Sequence, residues 1–232
     1  MKSVIYYHGS QNVVQHPTLR KGKPNNDYGK GFYCTKDIDA AYEWACKENT
    51  DGFVNKYNLV FDGLKILDLT KTEYSVLNWI AILLKNRTFE LNKTIAIEAR
   101  DYIIRNFMPE TKGCDLIVGY RADDSYFQFA EDFITNTQPI RVLNKALYLG
   151  KLGIQTVLVS KKAFSQIEFI GTEFAEREIY YNKFAERDRN ARITYNRIAK
   201  SEYFVQSDIY VMDIIRQEMK NDDPRLQRIV PA

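Results

Sequence analysis

An α+β fold is what the sequence predicts, and three observations predict it. Short β-branched and aromatic runs are mixed with helix-periodic stretches in no regular alternation, which argues against a doubly wound parallel sheet. Those runs are bounded by glycine, asparagine and aspartate punctuation. After Gly171 the strand-like alternation stops, and a charged, tyrosine-rich, helix-periodic segment follows. The expected organisation is a core domain of residues 1–171 and a helical C-terminal extension of residues 172–232.

Each element has its own justification. Ser3 to Tyr7 is β-branched and aromatic and is stopped by Gly9, so it reads as the first strand. Gln11 to Lys30 is polar, holds Pro17, Pro24 and the cluster Asn25-Asn26-Asp27, and reads as a long loop. Loops of that length in compact domains are often functional. Gly31 to Thr35 is a second strand. Asp37 to Glu48 is a helix with Ala40, Ala41, Trp44 and Ala45 on one face. Phe53 to Asp62 and Lys65 to Leu69 are strands about a glycine turn. Thr72 to Lys85 and Lys93 to Phe107 carry helical spacing, and Asp115 to Val118 is a buried strand. Ser125 to Ile134 and Ile140 to Leu149 are helices, Gln155 to Ser160 is a strand, and Ile167 to Ile170 is the last one. In the extension, Phe174, Ile179, Phe184, Tyr195, Ile198, Ile209, Val211 and Ile214 need burial, because an isolated amphipathic helix is marginal in water.

Composition narrows the function classes. With 232 residues the chain is long enough to bury a sizeable core. The net charge of +3 gives no global polyanion signal. Locally, the first 26 residues carry Lys2, Arg20, Lys21 and Lys23 and no acid, which fits either a solvated loop or a phosphate-facing one. Cys34, Cys46 and Cys114 are odd in number and lack metal-ligand spacing, so reduced cysteines in a cytoplasmic protein are expected and a disulfide framework is not. The N-terminal apolar run is too short for a signal peptide, and no stretch reaches the roughly 20 apolar residues of a membrane helix. No membrane partner is expected.

The motifs that carry chemistry are YYHGS at Tyr6 to Ser10, GKGFYCT at Gly29 to Thr35 and DAAYEWA at Asp39 to Ala45. In this order, on two strands separated by a basic loop, they resemble the ADP-ribosyltransferase superfamily, in its diphtheria-toxin and poly(ADP-ribose) polymerase branch. That likeness lies mostly in residues 6 to 45. The chain as a whole is similar to an uncharacterised bacterial family related to that superfamily, with DLIVGYRADDSYF, Asp115 to Phe127, as the supporting segment.

The resemblance implies a split β-sheet core that takes NAD as substrate and transfers mono-ADP-ribose to a protein or nucleic-acid acceptor, as small bacterial toxins, effectors and defence proteins do. It implies that Tyr33 stacks on the nicotinamide ring, that His8 bonds a ribose hydroxyl of the adenosine half, and that Gly9 presents its peptide groups to the carboxamide. Gly31 belongs to the second motif, and Ser10 and Thr35 complete a polar clamp. Charge alone, and not the resemblance, places Arg20 or Lys23 at the pyrophosphate. These residue types suit the chemistry: breaking the nicotinamide–ribose bond builds an oxocarbenium-like cation, as in glycoside hydrolysis. Tyrosine offers a flat apolar face, and glycine permits close backbone approach. The same residues also fit a hydrogen-bonded core histidine and a core tyrosine.

One position departs from the superfamily pattern. Where a later strand of the superfamily begins with Glu, IQTVLVS places Gln155. Glutamine can hold a ribose hydroxyl but brings no charge, and losing one such preorganised group costs about 3–4 kcal/mol in the transition state. Gln155 is expected to take the third catalytic place beside Tyr33 and His8, with transfer of a single ADP-ribose and no chain elongation expected; the alternative is a plain polar strand-start residue. Asp123 and Asp124 either supply the missing charge or cap the next helix. A module that holds NAD or ADP-ribose without catalysis, and an RNA-modifying enzyme of the same fold, are the alternative readings. The helical extension is expected to bind an antitoxin or the target.

Overall fold

The computed structural model describes residues 3–89, 94–122, 124–146, 149, 153–201 and 205–226. In chain order its elements are β1 (Ser3–Ser10), β2 (Phe32–Thr35), α1 (Ile38–Ala45), β3 (Gly52–Val60), β4 (Ile66–Asp68), α2 (Val76–Asn86), α3 (Thr94–Phe107), β5 (Leu116–Tyr120), α4 (Asp124–Ile134), α5 (Ile140–Ala146), β6 (Ile154–Leu158), α6 (Lys161–Phe164), β7 (Ile167–Ala175), α7 (Arg177–Ser201) and α8 (Val211–Arg216). The fold is α+β, as expected, and its strands form one mixed sheet. The chain forms two units, one of residues 1–68, 111–121 and 153–187, the other of residues 69–110, 122–152 and 188–232. Among the described residues no helix is long and apolar enough to cross a membrane.

The first unit holds the whole seven-stranded sheet, ordered β4-β5-β6-β2-β1-β3-β7. Its pairs are antiparallel except for β4 with β5. Strand alternation sorts the side chains. One face buries Tyr6, Phe32, Cys34, Tyr57, Leu59, Leu116 and Leu158 together. The other buries Val54 and Ala175 against Ala41 and Ala45 of α1. Helix α1 starts where Asp37 accepts hydrogen bonds from the Asp39 and Ala40 amides. It ends at Ala45, short of the expected Glu48, because Cys46 is extended and Lys47 pairs with Thr50 instead. All three cysteines are buried thiols outside any disulfide.

The last strand corrects the expectation that strands end at Ile170. β7 runs to Ala175 because β3, nine residues long, pairs with it from Gly52↔Ala175 to Leu59↔Ile167. Gly171 reads as a break in the sequence, yet it lies at a register shift beside Lys56 and Tyr57, where Ile170 is the extra residue. Phe174 therefore sits on a strand. It is 56% exposed, and its ring meets that of Phe53 edge-on at 5.8 Å. Ile179, expected to be buried, is also exposed. The start of α7 belongs to this unit: Tyr180 stacks on Tyr42 at 4.3 Å, and Arg187 bonds Glu43.

The second unit is helical. α2 starts at Val76, later than expected, because Ser75 and Asn78 form a capping box. Val76 through Leu84 are all buried. α3 turns Ala96, Ala99, Ile103 and Phe107 inward at helical spacing. Asn78 Nδ2 donates to the Phe107 carbonyl and to Asn221 Oδ1, each at 2.7 Å. Tyr195 stacks on Phe129 at 3.9 Å and donates to Asp132 at 2.6 Å. Arg141 grips Asp208 through two bonds of 2.7 and 2.9 Å. Tyr195, Val211 and Ile214 are buried, as their periodicity predicts. Helix α5 is described to Ala146, and most of the expected continuation to Leu149 lies outside the described residues.

Candidate functional site

The first motif sits where two strands part. β1 pairs with β3 over its whole length, from Ser3↔Val60 to Ser10↔Phe53. Its register with β2 among the described residues is Tyr7↔Thr35. Beyond that pair, a side chain makes the connection. His8 Nδ1 lies 2.7 Å from the Tyr33 carbonyl, and the ring rests 4.4 Å from that of Phe32. A carbonyl only accepts, so Nδ1 carries the proton and Nε2 keeps its lone pair. Burial lowers the imidazole pKa below its ordinary 6.5, and the bond to Tyr33 opposes this more weakly. His8 is therefore neutral at pH 7, with Nε2 an acceptor.

A pH dependence follows from this direction. The unfolded chain takes up the proton first as pH falls, so the stabilisation is whole above about pH 6.5 and is lost as pH drops through the lowered folded value. Urea midpoints measured from pH 8 to 5 are expected to fall in that window, and His8→Gln is expected to remove His8's contribution.

Gly9 and Gly31 are packing glycines. A Cβ on Gly9 would stand 2.0 Å from the Ala41 carbonyl oxygen and 2.6 Å from the Ala45 nitrogen, so α1 crosses β1 at contact distance. A Cβ on Gly31 would meet Val157 at 2.3 Å. Gly22 of the basic loop lies against Gly31, where its own Cβ would fall 2.6 Å from the Gly31 carbonyl oxygen. Arg20 is exposed on that loop at φ 65°.

The second motif is stitched to a turn. The Tyr33 hydroxyl donates to the Gly29 carbonyl at 2.6 Å and accepts from the Tyr28 amide at 3.0 Å. The Tyr28 hydroxyl reaches the Tyr120 carbonyl at 2.8 Å. Thr35 donates to the Ile154 carbonyl at 3.2 Å and accepts from the Asp37 amide at 3.1 Å, so it joins β2 to β6 and to the start of α1. The registers Tyr33↔Val157, Thr35↔Gln155 and Gly119↔Gln155 put Tyr33, Thr35 and Gln155 on one sheet face. His8 lies beside Phe32 on the opposite face and reaches this group through the Tyr33 carbonyl.

Gln155 is 3% exposed. Its Nε2 donates to Asp27 Oδ2 at 2.9 Å and to the Tyr120 carbonyl at 3.2 Å. Both partners are acceptors, which settles which end of the amide is nitrogen and leaves Oε1 as the acceptor on the other side. Asp27 is itself buried, at 6% exposure. Asp123 lies outside the described residues; Asp124 opens α4 in the second unit.

Three participants were not singled out from sequence. Asp27 stood in a loop cluster as a turn residue. Asn55, fully buried on β3, donates to the His8 and Asn12 carbonyls and to Ser10 Oγ, each at 3.2 Å, and accepts from the Val14 amide at 2.8 Å. Ser10 also donates to the Asn12 carbonyl. The signal was an asparagine inside an apolar strand run, where that residue type is depleted. Trp44 of α1 holds its Nε1–H buried with no acceptor among the described residues, and the Arg121 guanidinium lies 4.6 Å from its ring centre. None of the predicted site residues lines the depression of about 940 Å³ in the second unit, which is bordered by Asn136, Tyr210, Asp213, Arg216 and Arg225 among others.

Comparison with known proteins gives one match. A family model described as a protein of unknown function (DUF3990) fits residues 4–169. No curated protein and no solved structure matches the chain.

Proposed function

From the premise that the chain belongs to the DUF3990 family of unknown function, we propose that its first unit binds NAD and transfers a single ADP-ribose to a macromolecular acceptor. The observation that carries the reading is the orientation of the Gln155 amide. Its nitrogen is held by Asp27 and Tyr120, and Oε1 is left to accept a hydroxyl on the sheet face shared with Tyr33. The neutral His8 ring stands on the opposite sheet face and steadies this group through its bond to the Tyr33 carbonyl. The buried Trp44 Nε1–H is a donor that a bound acceptor atom satisfies, since such groups are costly to leave unpaired.

NAD supplies a ribosyl group on a good leaving group: the C–N bond to nicotinamide breaks, nicotinamide leaves with the electron pair, and the acceptor bonds the ribose carbon and loses its proton. The protein's own contribution is positional. Tyr33 is immobilised by its hydroxyl and offers its ring. Gln155 fixes the ribose beside the breaking bond. Without a carboxylate at position 155 the turnover is slow and one ADP-ribose is added per site. The basic loop, with Arg20, Lys21, Lys23 and Lys30 exposed, suits the pyrophosphate or a nucleic-acid acceptor. The C-terminal helices are the surface for a target or an antitoxin.

The test is titration calorimetry with NAD followed by assay of nicotinamide release and of label transfer from NAD to lysate protein and nucleic acid. Tyr33→Ala is expected to weaken affinity. Gln155→Ala is expected to bind nearly as wild type and to lose turnover, because Gln155 acts mainly near the transition state. No binding at millimolar NAD overturns the reading. The near-complete burial of Gln155 favours a second reading, a module that holds NAD or ADP-ribose without catalysis; binding without nicotinamide release selects it.

A further inference from the structure

We propose that Asp27 is a positioning residue for this chemistry: its carboxylate holds the Gln155 amide with Oε1 toward the ribose and polarises it, so that the two side chains together do the work of one glutamate. The inference rests on the NAD reading above.

A glutamine at such a position has a weakness that a glutamate lacks. Its amide can turn over and present N–H groups where a developing cation needs an acceptor. Here the turned amide would set Oε1 against Asp27 Oδ2 and the Tyr120 carbonyl, three acceptors with no proton among them. A carboxylate excludes that orientation, whereas an amide at position 27 would permit it by offering its own N–H groups. The carboxylate also does what a neutral acceptor does less well. A hydrogen bond to an ionised group is the stronger kind, and polarisation along a hydrogen-bonded chain carries negative charge from Asp27 to Oε1. Burying a carboxylate is costly without such partners.

The surrounding bonds hold Asp27 in place. Gly29 N–H closes the turn onto the Asn26 carbonyl at 2.9 Å. Tyr33 secures residues 28 and 29, and Tyr28 secures the turn to Tyr120, the same residue whose carbonyl takes the other Gln155 proton. The motif tyrosine thus places the carboxylate that orients the catalytic amide. This gives the long loop a chemical task that its composition did not disclose.

The experiment exchanges the two groups. Wild type, Asp27→Asn, Gln155→Glu and the double change Asp27→Asn/Gln155→Glu are compared for NAD affinity, nicotinamide release and thermal midpoint. Asp27→Asn is expected to bind NAD within about threefold of wild type and to release nicotinamide at least about tenfold more slowly. Gln155→Glu alone places two carboxylates at hydrogen-bond distance, which cannot both ionise, and is expected to be slow as well. The double change restores one carboxylate facing one amide donor, with the charge now on residue 155 and the Tyr120 carbonyl left to the Tyr28 hydroxyl, and is expected to release nicotinamide faster than either single variant. A residue that merely supports the fold would lower the midpoint and show no such rescue. Wild-type turnover in Asp27→Asn, or a double variant no faster than Gln155→Glu, overturns the role of Asp27 while leaving NAD chemistry standing. Failure of wild type to bind NAD overturns both.

Discussion

Gly9→Ala is expected to cost about 3 kcal/mol of stability or more, the upper end of what overpacking does. The added methyl would stand 2.0 Å from the Ala41 carbonyl oxygen, 2.6 Å from the Ala45 nitrogen and 2.9 Å from Trp44 Cβ. The first two are helix backbone atoms and have no rotamer by which to retreat. Helix α1 has to move off the sheet, taking Ala41 and Ala45 away from Val54 and Ala175. Gly113→Ala is the control. Nothing lies within 4 Å of its Cβ, and its φ of 75° alone is penalised, by about 1 kcal/mol. Urea unfolding of the two variants separates the cases: equal losses would mean that α1 does not press on Gly9. Because His8 and Ser10 flank Gly9, NAD affinity is expected to fall with stability.

Asn55→Leu is expected to lose about 2–3 kcal/mol by a different route. The leucine is close in size, so little space opens. What is lost is the partner of the Val14 amide and the donor to the His8 and Asn12 carbonyls. A buried polar group left unsatisfied costs about 1–3 kcal/mol. The change also frees the segment after β1, since Asn55 and the Tyr57 hydroxyl both hold Val14. Hydrogen exchange at the Val14 amide is the direct readout, with protection expected to drop far more than at Leu59 in the same strand. Unchanged protection at Val14 would show that Asn55 does not order this segment. Asn55→Asp keeps the acceptor for Val14 but loses the donors and buries a charge, so it is expected to be at least as unstable.

Most elements were legible in the sequence because their signals are local. β-branched and aromatic runs beside glycine became β1, β3 and β6, with β1 running on through Gly9 to Ser10, and α3 put its apolar residues inward at helical spacing. The missed ends have local causes that periodicity does not register: a capping box at Ser75, an extended Cys46, and a bulge at Gly171 that let β7 run on to Ala175. Phe174 looked like a helical core residue and is an exposed strand residue for that reason.

The candidate site divides in the same way. By itself the sequence determined the strands and their alternation, the turn chemistry around Asn25-Asn26-Asp27, and the chemical types at His8, Tyr33 and Gln155, since each depends on residues near in the chain. Only the tertiary structure decided which groups meet. The pairing of β2 with β6 set Gln155 opposite Thr35 across 120 positions of chain, and the fold of the basic loop brought Asp27 within 2.9 Å of the Gln155 amide. It also turned His8 to the opposite face, where a neutral ring bonds the Tyr33 carbonyl. Strand register and loop closure are set by packing between distant segments, and neither a hydrophobic period nor a motif spacing records that.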